Sequence, residues 1–244
     1  MGCHLNLMTL SMMIAAFLIE NLKRIKFLQK EGIITKKYIK WFGLSLLVFL
    51  VSIFLHECGH GIANSIAGIP CSTGFNKVGD IYKYPSDSDF RAYYSTTQAV
   101  LLDFGVPCTL LLCVLGTLLF KKNKNKLIQY IGAALATVNS LLRFVPCTCV
   151  LLTPVFTGKT HVEDEYETGQ FLCQMTGNNF LLYIPALVSE AITLLCMIVI
   201  LRDAKKKNVQ HVALYTFVSL SVFCIGMVIA FIMDEHFRIN WNAM

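Results

Sequence analysis

FLVSIFLHECGHGIANSIAGI, residues 49–69, is an apolar run broken by one cluster of ionisable groups, His56-Glu57-Cys58-Gly59-His60. The run reads as a helix, and on a helix positions i and i+4 lie one turn apart on nearly the same face. The two imidazoles can then grip one metal ion, and Glu57, next to His56, can reach a water at that ion. Two histidines and a glutamate are expensive in a lipid-facing segment, so ionisable groups at such depth point to function. The plainer alternative is a pair of histidines packed against other helices. A chance H-E-x-x-H in a chain of this length is roughly a one-in-a-hundred event, which weighs against it.

Composition places this helix in a membrane. The chain has 244 residues, of which 55% are hydrophobic and only 15% charged, and its mean hydropathy is +0.60. Soluble domains carry about 25% charged residues. The expected fold is an all-α membrane protein with about six transmembrane helices in one bundle. The formal net charge of +6 does not argue for nucleic acid. The basic residues sit in short clusters beside apolar segments, where they set topology, and no nucleic-acid motif accompanies them. The bilayer is the expected partner, and the sequence carries no signal for an oligomeric state.

The ten cysteines are scattered, several of them in apolar runs where they act as small buried hydrophobes. None has four-Cys zinc spacing, and Cys147-Thr148-Cys149 is not a C-x-x-C pair. Cys71, Cys147, Cys149 and Cys173 fall near one face of the membrane, so a disulfide among them is an open alternative.

Taken in order, the chain reads as a single domain, 1–244. Residues 1–40 form an N-terminal anchor helix, about 5–19, and a basic linker that holds Lys23, Arg24, Lys26, Lys30, Lys36, Lys37 and Lys40. The anchor lacks the positive n-region and A-x-A site of a cleaved signal peptide. A Met1-Gly2 start suggests myristoylation, but Asn6 stands where Ser or Thr is wanted. The second segment, about 41–67, carries the metal motif and ends at Gly68 and Pro70, as a helix should. Its Gly59, Gly61, Ala63 and Ala67 permit close helix packing. Residues 71–97 are polar and Tyr-rich; they suit short strands or a hairpin, and equally an interfacial aromatic belt.

The third segment, about 99–120, has Asp103 and Gly105-Val106-Pro107 near its start. The fourth, about 127–152, holds Asn139, Arg143 and Pro146. An acidic loop over 153–178 contains His161-Val162-Glu163-Asp164-Glu165, and the fifth and sixth segments, about 180–201 and 212–233, follow. Residues 41–178 are thus the expected catalytic core, and 179–244 two C-terminal helices. The linker, the loop at 121–126 and the loop at 202–207 carry most of the Lys and Arg, while the intervening loops are acidic or mixed. The positive-inside rule then puts the end of the metal helix and the acidic loop outside the cytoplasm, in a multi-pass protein of the cell membrane.

Two histidines hold zinc weakly, and a catalytic zinc normally has three protein ligands. The topology offers Asp103, His161, Glu163, Asp164, Glu165 and Glu190. Glu190 reads better as a buried partner for Arg143, which would lower the cost of both charges. Asp103 suits either the membrane interface or a position behind a ligand histidine, accepting its N–H.

An H-E-x-x-H on an apolar segment, a Gly-x-Pro opening a later span, an Asn-bearing span and then an Asp element resembles the site-2 protease group of intramembrane zinc metalloproteases. The residues are His56-Glu57-Cys58-Gly59-His60, Gly105-Val106-Pro107, Asn139 and the Asp164 region, and the likeness covers roughly 49–171. That group places Pro and Asp-Gly close after its Asn, whereas Asp164 here is far from Asn139 and is followed by Glu165. The pattern is more similar to a divergent, compact branch of small membrane metallopeptidases. That resemblance implies one Zn²⁺ per chain held by His56, His60 and Asp164, with Glu165, Glu163 and His161 as alternatives to Asp164. It implies Glu57 as the general base and Asn139 as a contact to the substrate or transition state, an interhelical hydrogen bond being the equal alternative for Asn139; Arg143, one turn on, can face the substrate together with it. The activity implied is hydrolysis of membrane-embedded or juxtamembrane peptide or protein substrates.

Two other readings stand beside it. In another class of membrane proteases with H-E-x-x-H the third ligand is a glutamate on a later helix, here Glu190. A non-catalytic metal-binding or transport protein would use the histidines without hydrolysis, but has no need of Glu57 between them.

Overall fold

The computed structural model describes residues 36–81, 103–206 and 212–242. Residues from Leu44 on form one compact unit, which holds the site. The expected anchor helix and the Tyr-rich residues 82–97 lie outside the described residues.

The elements in order are α1 (Lys36–Ile66), β1 (Cys71–Thr73), β2 (Val78–Gly79), α2 (Gly105–Lys122), α3 (Lys126–Thr157) and α4 (Asp164–Thr176). A short 3₁₀ turn (Asn179–Tyr183), α5 (Ile184–Lys206), α6 (Val212–Asp234) and β3 (Ile239–Trp241) complete them. Four helical segments are long and apolar enough to cross a membrane: Ile39–Ile66, Gly105–Lys122, Lys126–Thr157 and Asn179–Ala204. A fifth, Ser219–Asp234, is apolar but shorter. The mostly helical fold is consistent with the expected helical membrane protein; four candidate spans, rather than the expected six, meet that measure among the described residues.

Helix α1 stops where the sequence says it should. Gly68 takes the left-handed conformation, φ +78°, and the Ile69 N–H donates to Asn64 O at 2.9 Å, closing the helix end. Pro70 then leads into β1. The hairpin is real but has an unexpected third strand. β1 lies in the middle, paired antiparallel with β2 on one side and with β3 on the other. Ser72 faces Gly79 across one pair and Asn240 across the other. A strand from the far end of the chain leaves no signal near residue 71, so local reading could not find it.

Helices α2 and α3 pack backbone to backbone. A Cβ on Gly116 would stand 2.5 Å from Ala136 N, and one on Gly132 2.6 Å from Phe120 N. Only glycine permits that approach.

The stretch expected as an acidic loop over 153–178 is mostly helix. Helix α3 continues to Thr157, Gly158 ends it at φ +66°, and α4 follows from Asp164. The acidic first turn of α4, Asp164, Glu165 and Glu167, favours the positive end of the helix dipole, which explains why so charged a stretch is helical. What fixes α4 in place is an apolar cluster of Cys147 and Val150 from α3, Tyr166 from α4 and Ala186 from α5. Gly169 of α4 touches the Leu182 carbonyl so closely that a side chain there would collide with it.

Candidate metal centre

The site is built where α1, α2 and α4 meet. Helix α1 contributes His56 and His60 on one face, with ring centroids 4.6 Å apart. For both rings to stand there, α2 must come close. Gly59 and Gly105 make this possible: a Cβ on Gly59 would lie 2.5 Å from Gly105 N, and one on Gly105 only 2.9 Å from His60 Nε2 and 3.0 Å from His56 Cε1. The Gly-x-Pro of the sequence thus has a steric reason. Gly105 lies beneath the imidazoles, and Pro107 sits in the first turn of α2, where its missing N–H costs nothing.

Helix α4 brings the third group. Asp164 Oδ2 stands 3.1 Å from His56 Nε2 and Asp164 Oδ1 3.5 Å from His60 Nε2, while the two Nε2 atoms are 3.1 Å apart. Among the described residues, this is the one trio of His, Cys, Asp or Glu whose donor atoms converge within 4.8 Å.

The other ring nitrogens explain the chemistry of the convergence. Thr109 Oγ1 donates its hydrogen to Gly105 O, 3.1 Å away, so it accepts at 3.2 Å from His56 Nδ1–H. Asp103 Oδ1, which also accepts from Gly105 N at 2.8 Å, stands 2.9 Å from His60 Nδ1. Both histidines therefore carry their hydrogen on Nδ1, and both Nε2 lone pairs face inward with the Asp164 carboxylate. In that tautomer the three acceptors repel unless a proton on one imidazole or a bound cation lies between them. The donor set, two imidazoles and a carboxylate each braced from behind, fits a divalent metal ion.

Asp164 is braced by Arg143 of α3. Arg143 Nη1 lies 2.8 Å from Asp164 Oδ2 and 3.4 Å from Glu165 Oε2. Pro146 explains why the guanidinium points this way. It has no N–H to give to the carbonyl four residues back, and Arg143 Nε donates to that carbonyl, Leu142 O, at 3.0 Å. Arg143 and Glu165 are both buried, at 6% and 1% exposure, so neither charge is tolerable without the other.

The other expected residues fall as follows. Asp103 sits behind His60 rather than alone at the interface. Glu165 is taken by Arg143, and His161 Nε2 pairs with Glu163 Oε1 at 2.9 Å, so none of these three joins the trio. Glu190 does not pair with Arg143, contrary to expectation; it accepts from Thr148 Oγ1 at 2.9 Å. The acidic first turn of α4 offered Arg143 two carboxylates at once and outcompeted a single one on α5. Asn139 is fully buried and donates to Ser52 Oγ at 3.0 Å and Leu135 O at 2.8 Å, an interhelical link to α1. Cys71, Cys147, Cys149 and Cys173 are free thiols. Thr109 was missed by sequence reading, since a threonine in an apolar helix carries no metal signature.

The trio opens onto a cleft of about 640 Å³. Glu57, 7% exposed, lines it beside His56 and His60, with Asn76, Lys77 and Val78 of the hairpin on one wall. Phe223, Met227 and Phe231 of α6 also line it, so a helix assigned outside the 41–178 core reaches the site. At the rim, burial and the neighbouring Asp164 push the Glu167 carboxyl up to about 7. Burial likewise raises Glu163, with Asp164 adding to the effect. Compared with known proteins, the chain matches no protein-family model, no curated protein and no solved structure.

Proposed function

We propose that the chain is a zinc-dependent endopeptidase of the membrane, acting on membrane-embedded or juxtamembrane peptide segments. The observation that carries the reading is the His56–His60–Asp164 convergence with Glu57 beside it. Ligand atoms about 2.0–2.2 Å from a tetrahedral zinc stand roughly 3.4 Å from one another. The three separations here are 3.1, 3.1 and 3.5 Å. Three protein ligands and a cleft on the open side are the pattern of a catalytic rather than a structural zinc site.

Zinc at this position supplies Lewis acidity, polarising a scissile carbonyl and bringing the pKa of water toward about 7. The protein's own groups do the rest. Glu57 takes a proton from the attacking water and gives it to the leaving amine. Thr109 and Asp103 keep both imidazoles in the metal-binding tautomer. Arg143 holds Asp164 in place, and so acts through the ligand rather than on the substrate. Substrate backbone is laid along the hairpin residues 76–78, by addition to β2, an outer strand of the sheet. The alternation of basic and acidic loops puts this end of the bundle on the extracytoplasmic side of the cell membrane.

The test is comparative: membrane peptides from cells that carry wild-type protein are set against those from cells with Glu57→Gln. Peptides produced only by the wild type support the assignment. Identical peptide sets sink it and leave the non-catalytic metal-binding reading.

A further inference from the structure

The chemistry above does not use the C-terminal residues 234–242, yet they carry a buried ion pair. Asp234, 1% exposed, ends α6 and meets Arg238 Nη1 at 2.9 Å. Its Oδ1 accepts from Phe75 N at 2.8 Å and Asn76 N at 3.2 Å, in the turn between β1 and β2. Lys77 Nζ lies 3.7 Å from its other oxygen. Arg238 completes the hold. Its Nε donates to Ser72 Oγ at 3.0 Å, and its Nη2 to Ser72 O at 3.0 Å and Lys77 O at 2.7 Å. The pair therefore grips the hairpin at residues 72, 75, 76 and 77, and Asn76 and Lys77 also line the cleft.

A hairpin this short has no stability of its own. β2 is two residues long, and isolated two-stranded hairpins are marginal even when longer. Its position is set by what it is tied to. Past Arg238, β3 pairs with β1, Trp241 Nε1 donates to Thr73 Oγ1 at 2.8 Å, and the indole packs directly on Gly61, the residue after His60. Ser65 Oγ bonds Asn242 O on the same helix end. The tail thus ties three parts of the site together: the α6 wall, the hairpin rim and the end of the metal helix.

We propose that Asp234 and Arg238 are positioning residues of the peptidase, holding residues 75–78 at the cleft rim as the surface on which substrate backbone is laid. This rests on the peptidase reading. The pair touches no metal ligand, so its loss raises KM for a substrate that reaches the rim and leaves the metal bound; Asp234 also lies within charge reach of Glu57, an effect on turnover that a short and a long peptide share.

The experiment compares wild type with Asp234→Ala, which removes the acceptor as well as the charge, in nanodiscs by zinc content, amide hydrogen exchange and kinetics. Its substrates are a long peptide that spans the rim and a short peptide confined to the metal end of the cleft. Charge-assisted hydrogen bonds of this type set the expected change at roughly 10- to 100-fold. KM for the long peptide rises by that amount, KM for the short peptide stays near wild type, any change in kcat is the same for both peptides, and zinc remains bound. Exchange at the Phe75 and Asn76 amides speeds up. Unchanged exchange at these amides, or faster exchange with an unchanged KM, overturns the proposal. Loss of zinc from Asp234→Ala also overturns it, because the role would then be structural. If Asp234→Ala does not fold, Arg238→Lys, which keeps the charge but loses the fork's bonds to Ser72 and the Lys77 carbonyl, is expected to raise KM for the long peptide with zinc retained, and an unchanged KM overturns the proposal. Wild type as inactive as Glu57→Gln defeats the peptidase reading instead, while the exchange measurement still tests the tether.

Discussion

Helices α1 and α5 are alike as membrane segments. Their candidate spans, Ile39–Ile66 and Asn179–Ala204, are both strongly apolar and buried to a similar extent. Both carry ionisable groups within an apolar helix, yet among the described residues only those of α1 join the converging trio. On α5, Glu190 meets one hydroxyl, Thr148. On α1, each histidine is engaged on both ring nitrogens, by Thr109 of α2, by Asp103 just before α2 and by Asp164 of α4. An ionisable residue in an apolar helix is thus a weak sign of function by itself. Convergence of acceptors from several elements, each braced from behind, is the stronger sign.

The sharpest way to break this comparison is to remove one charge from each helix. Glu57→Gln keeps its zinc and loses roughly 100- to 10,000-fold in kcat, the range for a positioned general base. Glu190→Gln leaves kcat near wild type, because an amide oxygen still accepts from Thr148. A peptide-cleavage assay on both proteins decides it. Arg143→Ala comes next. It strands Glu165 without a counter-charge, which costs about 3–5 kcal/mol of stability, measured as a lowered denaturation midpoint in detergent. Asp103→Ala removes the acceptor behind His60 and weakens zinc affinity about 10- to 100-fold, read by competition with a chelator.

The smallest effect is at Glu167. Its carboxyl titrates at about 7 in the fold against 4.5 ordinarily. A carboxyl raised in this way binds more protons folded than unfolded, so its contribution falls as pH rises from 4.5 to 7. The denaturation midpoint of zinc-free protein therefore declines across that window, and Glu167→Gln flattens the decline. Solvent screening at this partly exposed rim keeps the effect modest.

The two halves of the site differ in how they are written in the sequence. His56, Glu57 and His60 are legible because one helix turn sets their spacing, and Gly68 and Pro70 mark where that helix ends. Asp164 is one of several acidic candidates that spacing alone does not separate, because its approach depends on α4 docking through Tyr166 and Gly169. Those contacts pair residues distant in sequence. The pairing of Arg143 was misread for a related reason. Two buried charges of opposite sign on neighbouring spans invite a match, but Pro146 freed a carbonyl that turned the guanidinium toward α4. The third strand and the Asp234–Arg238 grip join chain positions more than 150 residues apart, beyond the reach of any local pattern.

The central claim is that Asp164 closes the metal site. Zinc content of protein purified in mild detergent, measured by mass spectrometry on wild type, Asp164→Ala and Glu190→Ala, tests it most directly. The account predicts one zinc per chain in wild type and Glu190→Ala, and loss of zinc in Asp164→Ala. Zinc retained by Asp164→Ala and lost from Glu190→Ala would contradict it.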